Sequence, residues 1–327
     1  MTAKNPENSA AVAANTFFKT LLKKYGVLIA TFVLMVIFSF ATPAFMTSRN
    51  MLMLLRQISM LTMVSIGMTF VMAAGGFDMS VGYAIGLINV TVAMALKSGM
   101  GVFLSLVLAL LAGMGVGSLN GVLVSFIGLP DFIGTFAVGS IAFGLKMMVT
   151  RGNPIMLWDA PEGFSFIGQG YVGAVPFPII LMITAIVLTS FVMKYTRLGR
   201  RLYYIGGNKT AALYSGINVK RYRFLSFVIS GFCVAVTSII LTSRVGSGQP
   251  LAGEEYLLDA ISAVFLGMTM FGEGEPNVPG SFVGAFLIGM LTNALTLMNV
   301  AYYFQYITKG VAVILAVTVS IISRSKE

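Results

Sequence analysis

The sequence has no histidine, one cysteine and one tryptophan in 327 residues, and only 10% of its residues are charged. Without histidine there is no imidazole base, no His-ligated metal and no His proton relay. The single Cys233 lies inside an apolar run, which excludes a disulfide framework and a cysteine-rich metal site. No G-x-x-x-x-G-K-[ST] phosphate loop occurs, so if ATP drives this protein another chain must bind it. So few charges cannot cover a soluble globule, whereas a lipid-facing surface needs few.

Apolar residues fill the space: they make up 57% of the chain. Crossing about 30 Å of hydrocarbon takes roughly 17 to 25 apolar residues in a helix. Runs of that kind lie at 26-42, 57-74, 81-96, 102-127, 132-149, 177-193, 224-242, 257-271, 281-299 and 304-322. The pattern predicts an all-α polytopic membrane protein with about ten transmembrane helices, preceded by a tail, 1-25, and followed by another, 323-327. The first run follows lysines as a signal sequence would. No small-x-small cleavage site follows Ile37, so it reads as a retained helix.

The basic residues set the expected orientation. Lys4, Lys19, Lys23 and Lys24 precede the first run, and Arg324 and Lys326 follow the last. The 194-223 loop holds Lys194, Arg197, Arg200, Arg201, Lys209, Lys220, Arg221 and Arg223 with no acid. Ten spans put all three segments on one side, which the positive-inside rule makes cytoplasmic. The net charge of +10 then reflects topology and contact with anionic lipid rather than nucleic acid.

Two loops are long. The outer loop 150-176, with Arg151, Pro154, Trp158, Asp159, Pro161 and Glu162, is long enough for a small surface cap or docking site. In the inner loop, Asn208 suits an N-cap, Lys209 to Ser215 a short helix, and Gly216 the left-handed residue beyond its end. A two-turn helix is not stable alone, so it packs on its own membrane domain or on a partner.

Between the second and third runs stands Gly-Gly-Phe-Asp-Met-Ser-Val-Gly, positions 75 to 82. Gly75 and Gly76 break one helix, and Asp78 or Ser80 can cap the next. The turn either closes the cytoplasmic ends of two spans or shapes the inner end of a pathway. Gly67-Met-Thr-Phe with Gly82-x-x-x-Gly86 is echoed by Gly267-Met-Thr-Met with Gly280-x-x-x-Gly284, compatible with a weak parallel internal repeat. Gly117-x-x-x-Gly121 adds another small-residue spacing that lets helices approach closely.

Charges inside spans need partners. Asp259 and Lys309 fall at matching depths in the eighth and tenth runs and are expected to pair. Lys146 and Arg151 are expected to snorkel to the outer surface. Little else in the spans titrates, which disfavours an ion-coupled secondary transporter, though that alternative stays open. An embedded enzyme would lack both a metal cluster and a triad.

These residues resemble, in order from about residue 25 onward, the membrane permease subunits of bacterial ABC importers for ribose and related sugars. Gly67-Met-Thr and Gly76-Phe-Asp-Met-Ser-Val-Gly82 are similar to that family's G-M-T and G-I-D-L-S-V-G. Thr196-Arg-Leu-Gly-Arg200, Tyr204-Ile-Gly-Gly-Asn208 and Ser215-Gly-Ile-Asn-Val219 are similar to its cytoplasmic loop, and Gln249-Pro250, Leu258-Asp-Ala-Ile261 and Tyr302-Tyr-x-Gln305 also match. The resemblance implies a multi-pass subunit of the bacterial inner membrane. Its partners would be a second permease subunit, the same or a related chain, a cytoplasmic ABC ATPase and an extracytoplasmic sugar-binding protein. It implies no cofactor in this chain, ATP and Mg being bound by the ATPase, and no resident metal. Gly206, Gly207, Asn208, Lys209, Ala211, Ala212 and Gly216 would form the helix that couples to the ATPase. Lys209 stands where the family usually has an acid, and Thr210 stands in place of one of the two alanines that follow it. The turn 272-279, with Glu273, Glu275, Pro276 and Pro279, replaces a Gly/Ser-rich segment. For a neutral polyol, Gly76, Asp78, Ser80, Asn89, Asn120, Asn293 and Gln305 are the candidate pathway residues, with Thr135 and Ser140 as further polar groups in the spans.

Overall fold

The computed structural model describes residues 26–270 and 274–324. The tail lysines Lys4, Lys19, Lys23 and Lys24, residues Gly272 and Glu273 of the acidic turn, and Lys326 lie outside the described residues. The chain is helical nearly throughout. Its helices are α1 (Gly26–Ala41), α2 (Ser48–Ala73), α3 (Val81–Lys97), α4 (Val102–Gly121), α5 (Asp131–Thr150), α6 (Glu162–Gln169), α7 (Phe177–Tyr195), α8 (Arg197–Gly207), α9 (Lys209–Tyr214), α10 (Val219–Val245), α11 (Glu254–Met268), α12 (Val278–Leu297) and α13 (Tyr302–Arg324). A π-helical turn, Val122–Ile127, prolongs α4 and ends at Gly128, whose φ of 91° only glycine adopts without strain. Among the described residues six helices are long and apolar enough to cross a membrane: α2, α4 with its extension, α5, α7, α10 and α12.

Side-chain oxygens cap the starts of α2, α10 and α12. Thr47 accepts from the Asn50 amide at 3.4 Å ahead of α2, Asn218 from Arg221 at 3.1 Å ahead of α10, and Asn277 from Gly280 at 2.7 Å ahead of α12. Buried α2 and α10 form the centre, surrounded by α3, α4, α11 and α12, while α4, α5 and α7 keep much of their apolar surface exposed. Gly113, Gly117 and Gly121 line one face of α4 and lie against the α10 backbone at Gly231, Phe227 and Phe224, so closely that a Cβ at any of them would collide. That stripe lets dispersion between backbones do what the hydrophobic effect cannot do in lipid. The two echoed glycine segments sit in different contacts: Gly67 packs on Ser230 and Cys233 of α10, whereas Gly267 packs on Gly280 of α12.

The eighth apolar run, 257-271, departs from the expected full span. Its helix, α11, has 15 residues and rises only about 22 Å at 1.5 Å per residue. Ahead of it, residues 247–253 run non-helically along α3, with Gly248 against Asn89 and Ala93, and the Pro250 and Ala252 carbonyls against Gly86. Glu254, at the start of α11, then meets Gly82, near the start of α3. Gly139 of α5 touches Ser80 at the same level, and it lies eight residues, about 12 Å of helix, from the α5 start at Asp131. Two helices therefore begin side by side deep within the bundle and run in opposite directions. Non-helical backbone is tolerated at such depth only where protein satisfies it. Here the Gln249 amide donates to Asn89 Oδ1 at 2.7 Å, and Ser247–Gly248 pairs with Ile155–Met156.

The 150–176 segment folds onto one end of the bundle. Its short α6 is fixed to the end of α10 by Gly168 N donating to Ser243 Oγ at 2.8 Å and Gln169 Nε2 to Ser243 O at 3.0 Å. At the opposite end α8 and α9 lie across the bundle, forming its foot.

Candidate functional site

The foot begins with α8, a strongly amphipathic helix that the sequence reading left as loop. Leu202 and Ile205 are buried, while Arg197, Arg200 and Tyr204 face out. Gly206 lies so close to the Ala73 carbonyl that a side chain there would collide, placing the α8 end directly on the end of α2; Gly207 has open space. Asn208 Oδ1 accepts from the Ala211 amide at 2.9 Å and starts α9. Gly216 ends it at φ 75°, beyond Ser215. Ala212 packs with Ile205 and Val219, so α9 is held to α8 and α10. Lys209 and Ala211 are exposed on it, together with Leu213 and Tyr214, which sequence reasoning missed. Their apolar bulk beside Lys209 and the exposed α8 arginines was the available signal.

Above the foot stands a buried polar node. Asp78 Oδ1 accepts from Ser80 N at 3.0 Å, Ser80 Oγ at 2.6 Å and Asn120 Nδ2 at 3.2 Å, while Oδ2 accepts from Ser230 Oγ at 2.9 Å. Neither side chain caps an amide of α3: Ser80 holds the N-cap position without a side-chain cap bond, and Asp78 reaches only the Ser80 amide ahead of the helix. Thr135 Oγ1 accepts from Met79 N at 2.9 Å and joins α5 to the same turn.

The foot and the node are linked by an ion pair. Arg223, one turn into α10, donates to both Asp131 oxygens, and Asp131 Oδ2 also accepts from the Phe77 amide at 3.2 Å. Gly76 is required there, since a Cβ would lie 2.5 Å from Asp131 Oδ2.

The remaining candidates are dispersed. Asn89 and Asn120 are fully buried, Asn89 holding the 247–253 segment and Asn120 the node. Asn293 exchanges two 3.0 Å hydrogen bonds with Asn50 of α2, and Gln305 donates to Val300 O at 3.0 Å. Ser140 is exposed and bonds back to Phe136 O. Lys309 Nζ lies 2.7 Å from Asp259 Oδ2, joining α13 to α11.

Lys146 corrects an expectation. Instead of snorkelling it is fully buried, with Nζ 3.3 Å from Glu254 Oε1, because a glycine, Gly86, leaves space beside α3 and an acid 108 residues onward neutralises it. Among the described residues no group of three or more metal-ligating side chains converges.

Comparison with known proteins gives the context. The chain is 38% identical to the ribose import permease protein of Bacillus subtilis (strain 168), over 92% of this chain and 93% of the relative. It is 31% identical to the D-allose transport system permease protein of Escherichia coli (strain K12), over 92% of each, and 31% identical to the xylose transport system permease protein of the same strain, over 97% and 98%. No solved structure matches. The family model described as branched-chain amino acid transport system / permease component matches residues 50–319, and the chain belongs to that family.

Proposed function

We propose that this chain is the translocation subunit of an ATP-binding-cassette importer that carries a monosaccharide or related polyol into the cytoplasm by alternating access. The observation that carries this is similarity along more than nine-tenths of the chain to permeases named for ribose, allose and xylose. It is not an enzyme: ATP and Mg belong to a separate ATPase, with which a second permease subunit and an extracytoplasmic sugar-binding protein would complete the assembly. The bundle crosses the inner membrane about ten times, with α11 and its non-helical lead-in making one crossing together, and both termini and the foot lie in the cytoplasm.

In this reading Asn208, Lys209, Ala211, Leu213 and Tyr214 meet the ATPase, and Gly206, Ala212 and Gly216 hold the shape of the foot, while Gly207 is exposed in open space beside them. Motion of the foot passes to α10 and α2, and through Arg223 and Asp131 to the turn carrying Gly76, Asp78 and Ser80. A helix as short as α9 transmits force only because it is fixed at Ala212 and capped at both ends. Asn89, Asn120 and Asn293 act as framework through Asn89 Oδ1, Asn120 Nδ2 and the Asn293 amide, which other parts of the bundle engage, while Asn89 Nδ2 and Asn120 Oδ1 have no bond among the described residues.

Vesicles holding the permease with the partner ATPase test the proposal. Uptake of ribose, xylose or allose from the loaded binding protein is expected only with internal ATP. Uptake by the permease alone, driven by an ion gradient, would overturn it.

A further inference from the structure

Where α3 and α11 begin side by side, four side chains make a cluster that the coupling scheme leaves unused. Glu254 opens α11, its side chain 41% exposed, while Lys146 beside it is fully buried. Only Oε1 of the carboxylate is engaged, by Lys146 at 3.3 Å; among the described residues nothing is bonded to Oε2. The ammonium lies 5.4 Å from the Tyr83 ring centre and 5.0 Å from that of Phe143. Those rings meet edge to face, 5.5 Å apart at 72°, and Phe143 is 37% exposed. The Pro250 and Ala252 carbonyls approach the same spot: a Cβ on Gly86 would lie 2.7 and 3.0 Å from them and 2.8 Å from Lys146 Nζ.

At this depth the carboxylate oxygen that has no donor cannot lie against hydrocarbon without the cost of an unsatisfied polar group, so the open side of this half-exposed side chain faces water or a polar solute. The buried Lys146 ammonium on one oxygen fixes the direction of the carboxylate. The other oxygen remains a charge-assisted acceptor, stronger than a neutral one. An exposed ring beside a fixed acceptor is a combination that suits a pyranose or furanose, which has a C–H face to lie on the ring and hydroxyls to donate.

We propose that Glu254 and Phe143, positioned by Lys146 and Tyr83, form a contact site for the hydroxyls and ring face of the monosaccharide as it passes between the two helix starts. This rests on the importer reading and adds to it a place where the subunit itself senses the sugar. The alternative role for the same pair is a strut that merely fastens α5 to α11, and the two roles separate by experiment.

The test uses the complete importer in vesicles, with the binding protein unchanged, so that its own selectivity cancels between variant and parent. Uptake of D-ribose is compared with uptake of 2-deoxy-D-ribose. Glu254→Gln is expected to lower ribose uptake about tenfold and deoxyribose uptake clearly less, since the analogue has one hydroxyl fewer to lose. Phe143→Leu, which keeps bulk but removes the ring, is expected to lower both. The reversed pair Lys146→Glu with Glu254→Lys is expected to stay inactive while still co-purifying with the ATPase. Equal losses for the two sugars in Glu254→Gln, or uptake restored by the reversed pair, would overturn the contact site in favour of a strut. Absence of ATP-driven uptake in the parent would instead defeat the importer reading itself.

Discussion

Arg223 of α10 and Asp131 of α5 meet at 2.5 Å between Nη2 and Oδ2, and the same carboxylate oxygen holds the Phe77 amide. One acid therefore ties the helix that rises from the foot to the turn ahead of α3. Asp131→Asn keeps an acceptor for Phe77 but loses the ion pair, whereas Asp131→Ala loses both. Both groups are largely buried, so leaving Arg223 unpaired is expected to cost about 2–4 kcal/mol, and Asp131→Ala more than Asp131→Asn. Thermal unfolding of the purified complex measures the order, and uptake per ATP hydrolysed is expected to fall in both variants. Unchanged transport stoichiometry in Asp131→Ala would show that the link carries no motion.

Two adjacent glycines of the foot are expected to behave differently. A Cβ on Gly206 collides with the backbone of Ala73, while one on Gly207 meets nothing within 4 Å. Gly206→Ala must push α8 away from α2, and recovery of the variant with the ATPase is expected to drop several-fold. Gly207→Ala, in an open helical position, is expected to be neutral or to stabilise by up to about 1 kcal/mol through the unfolded chain. Equal behaviour of the two variants in co-purification would refute the packing argument.

Gly216 separates conformation from space. Its φ is 75°, yet no atom lies within 4 Å of where a Cβ would stand, so the only demand is for the left-handed region. Asparagine enters that region readily and valine does not. Gly216→Asn is expected to retain most uptake, while Gly216→Val is expected to lose ATPase association or coupling with membrane insertion intact. Protease accessibility of the foot and ATP-driven uptake provide the readouts.

Much of this was legible because the solvent dictates it. Lipid forces apolar runs into helices, and the runs at 102-127 and 177-193 differ from their helices by at most two residues at either end. The α9 caps were legible too, because Asn208 and Gly216 act on their own neighbours. That Asp259 and Lys309 should pair was legible because charges inside spans need partners, although α11 does not begin at the membrane face from which its depth was counted. The half-length α11 was not legible: residues 247–253 stay non-helical, and the Gln249 amide in their midst is held by Asn89, 160 positions earlier. Burial of Lys146 likewise depends on Glu254, and a lysine one turn from a helix end looks like a surface residue until that partner is placed. The α8 helix was missed because its basic face reads as a loop and its buried face needs α2 to be recognised.

The Asp259–Lys309 pair gives the sharpest stability prediction. Both side chains are mostly buried, 13% and 17% exposed, and their 2.7 Å contact is what joins charged positions on α11 and α13. Removing one partner leaves an uncompensated charge among apolar helices, which is expected to cost about 3–5 kcal/mol, so Asp259→Leu and Lys309→Met should each lower the unfolding temperature markedly. Replacing both, as Asp259→Leu with Lys309→Met, removes the desolvation of two charges along with their attraction and is expected to recover most of that loss. The double-mutant cycle in detergent-solubilised protein then yields a large favourable coupling energy. Additive losses would mean that each residue is held by something other than its partner, and that the two helices are fastened by packing alone.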